Sequence, residues 1–182
     1  MKAYDIKLRL NDLRPITWRD LIIPSGITFK KLHDIIQTVM YFGDCHLYSF
    51  TFKDRNPIIT DFNRNVFLDA NEIDSNITII DEYFESNKKI FYTYDFGDDW
   101  DFTIEIKKTI ESDKPYPILK RYKGDYNPVE DCGGVYGLYD LIYYKNNPDD
   151  EDIPDHIEYN LEDLEKIDPD YVQNALEDLF ND

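Results

Sequence analysis

The chain has 182 residues, 42% of them hydrophobic and 15% aromatic, and carries a formal charge of −18. That length supports one domain with a substantial core. The sign of the charge works against direct nucleic-acid binding, because affinity for a phosphate backbone rests on Lys and Arg displacing counterions. No run nears the roughly 18 apolar residues of a membrane span. The opening MKAYDIKLRL alternates where a signal peptide would need an unbroken apolar stretch. A soluble, cytoplasmic protein without membrane contact is expected, with Cys45 and Cys132 as two reduced thiols.

In chain order, Tyr4, Ile6, Leu8 and Leu10 alternate with Asp5, Lys7 and Arg9, the period of a strand with one buried face. After Asn11-Asp12 and Pro15, the β-branched and aromatic run Thr17 to Ile23 predicts a second strand, antiparallel to the first, ended by Pro24-Ser25-Gly26. Phe29, Leu32, Ile36, Val39 and Met40 recur at helical spacing behind Thr28 as N-cap, with Gly43 expected to close the helix. Tyr48, Phe50 and Phe52 form a third strand. Asn56 to Asn76 is polar and aperiodic, a long loop with short elements at most, and Thr78 to Glu85 suits a short helix better than a strand.

Lys89 to Tyr94 and Trp100 to Lys107 are two further strand-like runs, joined by the stretch YDFGDDW as a hairpin turn in which Tyr94, Phe96 and Trp100 anchor the sheet. Glu111 to Pro128, with its prolines and Gly124, reads as an irregular crossing segment, and Val135 to Tyr144 as a helix. Asn147 to Asp155 is a turn or loop. Asp168-Pro169 sets an N-cap and first-turn proline before a last helix. The sum is one α+β domain over residues 1–182, a mostly antiparallel sheet with packed helices and an acidic helical C-terminal part from about residue 140. Residues 140–182 hold 15 acids against Lys145 and Lys166, and residues 1–139 hold 23 acids against 18 bases. The acidic end reads first as a solvated surface, then as a docking face for a basic partner, and more remotely as a nucleic-acid mimic.

Three constellations bear on chemistry. Asp95, Asp98 and Asp99, with Asp101 nearby, offer the hard oxygens that Mg²⁺ or Ca²⁺ takes. Asp and Gly also serve a hairpin turn for conformational reasons alone, and that reading is preferred. Glu130-Asp131-Cys132-Gly133-Gly134 places a thiol at a helix start, where a thiolate is favoured. With no His in a recognisable partner pattern, a buried structural Cys132 is the preferred reading. His46 beside Cys45 invites zinc, but two Cys and three His cannot comfortably furnish a structural site of four soft ligands. No cofactor and no metal are expected. The candidate site is Asp95, Asp98, Asp99, Trp100, Glu130, Asp131, Cys132 and His46, with Asp95, Asp98 and Asp99 as ligands if a metal is used.

Trp18 after Pro15, the Leu32-His33-Asp34-Ile35-Ile36-Gln37 helix, His46-Leu47-Tyr48-Ser49-Phe50, YDFGDDW and Pro128-Val129-Glu130-Asp131-Cys132-Gly133-Gly134 together resemble the Ri-plasmid ORF-three-like family. The resemblance runs from about residue 3 to the last helix and implies an α+β fold in prokaryotic chromosomes, plasmids and mobile elements, with no established role. An alternative family label, insertion-sequence passenger TnpR-like, implies recombination. That is discounted, because the first serine, Ser25, sits in a turn after Pro24 and the chain is acidic. The family pattern also implies His where this chain has Tyr48 and Phe102, and an extra Cys where it offers Leu119 and Asn127, so that His46 and Cys132 alone are retained. The expected function is a non-enzymatic interaction or accessory protein with an unidentified protein partner; the alternative is a metal-dependent hydrolase or nuclease using the Asp/Glu cluster.

Overall fold

The computed structural model describes residues 1–64, 69–150 and 153–181. In it, β1 (Lys2–Leu10) pairs antiparallel with β2 (Trp18–Pro24), Tyr4 opposite Ile23 and Leu8 opposite Arg19. The alternating apolar residues of β1 all face the core, as period-two patterning requires. Helix α1 (Phe29–Met40) starts where Thr28 Oγ1 accepts the Lys31 N–H at 3.2 Å. Its end departs from expectation. The left-handed residue is Tyr41, φ 62°, two positions before Gly43. Such a conformation costs a non-glycine residue about 1–2 kcal/mol. Here it is offset by the Tyr41 ring packing on Tyr171 at 5.7 Å and by the hydroxyl accepting the Asp168 N–H at 3.1 Å.

The remaining elements are β3 (Tyr48–Thr51), β4 (Ile58–Thr60), β5 (Glu72–Asp74), α2 (Asp81–Ser86), β6 (Lys89–Tyr94), β7 (Trp100–Glu111), β8 (Ile118–Lys123), α3 (Gly134–Asn146), α4 (Asp155–Asn160) and α5 (Pro169–Asp178). They build an eight-stranded sheet in the order β5-β4-β3-β6-β7-β1-β2-β8, antiparallel except for β4 with β5. The α+β class with a mostly antiparallel sheet is therefore as expected. Part of the middle segment, 65–68, lies outside the described residues, as do 151 and 152 of the acidic loop.

Two elements were hidden in sequence. β7 runs past Lys107 to Glu111, and the segment from Glu111 to Pro128, expected to be irregular, contributes β8 as an edge strand. Little of β8 is buried, so it shows no apolar alternation. It is recruited instead by pairing with β2 and by α5, whose Gln173 accepts the Leu119 N–H at 3.0 Å and donates to the Pro117 carbonyl at 3.1 Å. Helix α4 is a short helix that buries Ile157. The last helix begins as read: Asp168 accepts the Asp170 and Tyr171 N–H groups, with Pro169 in the first turn.

One face of the sheet packs under α1, with Phe29 on Phe50 at 5.0 Å and His33 stacked on Tyr48 at 3.7 Å. Arg19 is fully buried and donates to the Val39, Trp18 and Lys123 carbonyls and to Asn127 Oδ1, tying α1 to β2 and β8. These contacts fix the position of the α1–β3 connection, residues 41–47, beside the β6–β7 turn.

Candidate functional site

The β6–β7 hairpin closes where Tyr94 pairs with Trp100. Asp95 and Asp99 both take positive φ, 56° and 51°, a region that Asp tolerates better than most residues. The Asp99 N–H meets the Asp95 carbonyl at 2.7 Å, and Asp95 Oδ1 accepts the Gly97 N–H at 2.9 Å. Much of the Asp and Gly content of YDFGDDW is thus spent on the turn. Tyr94 and Trp100 are buried, Trp100 against Phe42 at 5.5 Å. Phe96 is not an anchor. It lies at the turn and is 50% exposed, because a residue between two left-handed positions has no neighbouring strand to cover it.

The segment before α3 docks directly on this turn. Asp98 Oδ2 accepts the Gly133 N–H at 3.1 Å, and Gly134, at φ 66°, lies so close to the Asp98 carbonyl that a Cβ there would sit 2.2 Å from its oxygen. Gly134 is therefore the close-approach position between the two signature segments, while Gly133 has open space around it and supplies a positive φ of 93°. Cys132 is buried, and burial, reinforced by Asp98, pushes its thiol up to about 12. A thiol so placed stays protonated and is no nucleophile at neutral pH. Cys45, by contrast, is exposed, and both cysteines are free.

The third segment of the site is the irregular stretch 43–46 that precedes β3. The Tyr94 hydroxyl accepts the Cys45 and His46 N–H groups at 2.9 and 3.3 Å and donates to Glu130 Oε1, while Glu130 Oε2 accepts the Gly43 N–H at 3.0 Å. Burial, with the Glu130 carboxylate beside it, keeps the Tyr94 phenol protonated far above its usual range. One hydroxyl thereby joins the hairpin, the α1–β3 connection and the segment leading to α3. His46 Nε2 then lies 3.7 Å from Asp95 Oδ2 and 3.4 Å from Asp131 Oδ1.

Of the eight candidate residues, His46, Asp95 and Asp131 thus converge, with one ligand atom from each within 4.8 Å of the others. Glu130 supports the backbone beside them, Asp98 caps Gly133, Asp99 is exposed, and Trp100 and Cys132 belong to the core. Asp98 and Asp99 do not join Asp95 in a common cluster.

A second polar centre escaped sequence reasoning. His33 is fully buried on α1, with Nδ1 2.8 Å from the Tyr92 hydroxyl and Nε2 2.7 Å from Asp44 Oδ1. Gln37 Nε2 donates to the same hydroxyl at 3.1 Å, so that hydroxyl donates to His33 Nδ1 and His33 donates from Nε2 to Asp44. Asp44 is gripped by both arms of Arg64 at 2.7 Å. Burial would raise the Asp44 carboxyl, but its bonds to His33 and Arg64 prevail and hold it well below the carboxylate range. Burial lowers the His33 pKa against the pull of Asp44. The only signal in sequence was a His at a core-facing helical position, which is also where a structural histidine stands. Tyr48 and Phe102, where the family pattern implies His, are both buried, Tyr48 stacked on His33.

A family model described as plasmid pRiA4b ORF-3-like protein matches residues 2–175. The chain is 30% identical over 138 residues to the uncharacterized protein y4hQ of Sinorhizobium fredii (strain NBRC 101917 / NGR234), covering 75% of this chain and 69% of that protein. Among solved structures it is similar to a protein of unknown function, MM3350 from Methanosarcina mazei Go1, with a TM-score of 0.75 and 28% identity over 93% of this chain and 96% of that one.

Proposed function

We propose that this chain, which belongs to the plasmid pRiA4b ORF-3-like family, is an accessory domain that acts by binding a basic protein partner. The observation that carries this reading is the outer face of α3. Tyr136, Tyr139 and Tyr143 are 81%, 50% and 45% exposed and recur at i, i+3 and i+7, which puts them in one stripe. The opposite face is already used by Leu138, Leu141 and Ile142. A helix apolar on both sides leaves one side for something else to cover.

Tyrosine is well matched to such a surface, since it offers a large amphipathic area for little lost side-chain entropy and is enriched in interfaces. Exposed Asp140 lies within the stripe, and exposed Asp149, Asp155, Glu158 and Glu162 follow it in the chain. Aromatic rings among carboxylates favour guanidinium and ammonium groups, through cation–π and ionic attraction together. A metal-dependent hydrolase or nuclease built on Asp95, Asp98 and Asp99 has less support, since Asp98 serves Gly133 and Asp99 is exposed.

The test compares wild type with the Tyr136→Ala/Tyr139→Ala/Tyr143→Ala variant as bait in a lysate of the native host. A basic protein retained at about 0.15 M salt, released as salt screens the contact, and captured at least tenfold less by the variant supports the reading. Equal capture by both baits sinks it.

A further inference from the structure

We propose that His46, Asp95 and Asp131 bind one first-row divalent cation, with zinc the best match, between the β6–β7 turn and the segment that precedes α3. This site is separate from the α3 face and does not depend on the docking role.

Spacing is the first argument. His46 Nε2 is 3.4 Å from Asp131 Oδ1 and 3.7 Å from Asp95 Oδ2, and it is buried with no hydrogen-bond partner. Buried polar atoms are nearly always satisfied. An imidazolium facing two carboxylates would close to about 2.7–2.9 Å. A cation about 2.0–2.1 Å from each ligand instead sets tetrahedral neighbours roughly 3.4 Å apart. The two separations from His46 are longer than charge-assisted hydrogen bonds and close to those between ligands of a common ion, and the two carboxylate oxygens lie within 4.8 Å of each other.

Charge is the second. Two carboxylates and the imidazole lie within 4.8 Å of one another, and among the described residues no Lys or Arg forms an ion pair with Asp95 or Asp131. The comparable cluster of His33, Asp34 and Asp44 shows the contrast. There both ring nitrogens are hydrogen-bonded, Lys30 pairs with Asp34, and Arg64 grips Asp44. That cluster is neutralised by its own Lys and Arg partners, whereas among the described residues the carboxylates at His46 have no such partner.

Local structure aims the donors. Asp95 Oδ1 is occupied by the Gly97 N–H while Oδ2 is the oxygen facing His46, and the Tyr94 hydroxyl holds the His46 backbone. Such supporting bonds orient ligands before a metal arrives. One imidazole with two carboxylates prefers a borderline ion such as Zn²⁺ to Mg²⁺ or Ca²⁺, which favour all-oxygen shells. Three protein ligands leave a position for water or a partner's donor atom.

The experiment is a calorimetric titration of metal-free full-length protein with zinc chloride, on wild type, Asp131→Asn, His46→Gln and Asp99→Asn. The Asp131 side chain is 78% exposed and its φ is 57°, a conformation Asn accepts, so Asp131→Asn leaves the fold intact. Expected are one zinc per chain in wild type and Asp99→Asn, affinity at least tenfold weaker in Asp131→Asn and His46→Gln, and a zinc-induced rise in melting temperature that the latter two lose. No zinc bound by wild type, or equal affinity in wild type and Asp131→Asn, overturns the proposal.

Discussion

Replacing Tyr94 with Phe removes a single oxygen, yet it cuts the bond between three segments at once. The ring would keep its packing on Phe42, 4.7 Å away. What goes is the acceptor for the Cys45 and His46 N–H groups and the donor to Glu130. Each neutral bond is worth about 0.5–1.5 kcal/mol net and a bond to a charged group about 1.5–3 kcal/mol. Water can reach the half-buried Glu130 more readily than the two amides, so the sum should fall in the lower part of the resulting range, about 2.5–3.5 kcal/mol. With a urea dependence of about 2 kcal/mol per molar, the unfolding midpoint should drop by roughly 1.5 M at unchanged slope. A double-mutant cycle with Glu130→Ala should return a coupling of about 1 kcal/mol or more. A midpoint within about 0.2 M of wild type would refute the claim that this hydroxyl joins the segments.

Asp20 is fully buried, with Lys107 at 2.7 Å, Arg121 at 2.6 Å and Lys7 at 3.7 Å. Burial works to raise its pKa, but the bonds from Lys107 and Arg121 dominate and depress it. Its stabilisation is therefore complete above the unfolded value of about 3.9 and is lost as pH falls through the lower folded value. Asp20→Asn should cost about 3 kcal/mol at pH 7, measured by urea unfolding, and the gap to wild type should narrow below about pH 4. Against a thiol reagent at pH 8, native protein should show one fast-reacting cysteine, abolished in Cys45→Ala, while Cys132 reacts only on unfolding. Gly134→Ala should destabilise by more than about 2 kcal/mol in the same denaturation assay, since its Cβ would collide with the Asp98 carbonyl at a positive φ.

What was legible in the sequence follows from where the residues bury. β1, β6 and the first half of β7 alternate because one face meets the core, and α1 shows its apolar stripe for the same reason. Asp168-Pro169 announced α5 through capping chemistry that is purely local. β8 was invisible because an edge strand held by Gln173 and β2 needs no apolar period. Tyr41 replaced Gly43 as the helix end because tertiary contacts of its ring and hydroxyl outweigh the local preference.

The site was half legible. The turn chemistry of YDFGDDW was readable from Asp and Gly. That its carboxylates part company, with Asp98 turning to Gly133 and Asp95 to His46, depends on a contact between segments more than thirty residues apart in the chain. The His33 centre left no trace beyond a helical position, since Asp44, Arg64 and Tyr92 are brought to it only by the fold.

The most direct test of the proposed cation site is X-ray absorption at the zinc edge on protein loaded with one equivalent of the metal. Ligation by His46, Asp95 and Asp131 should give a shell of nitrogen and oxygen alone at about 2.0–2.1 Å, with imidazole outer-shell scattering that disappears in His46→Gln. Sulfur scattering at about 2.3 Å would place the metal on Cys45 or Cys132 instead and contradict it.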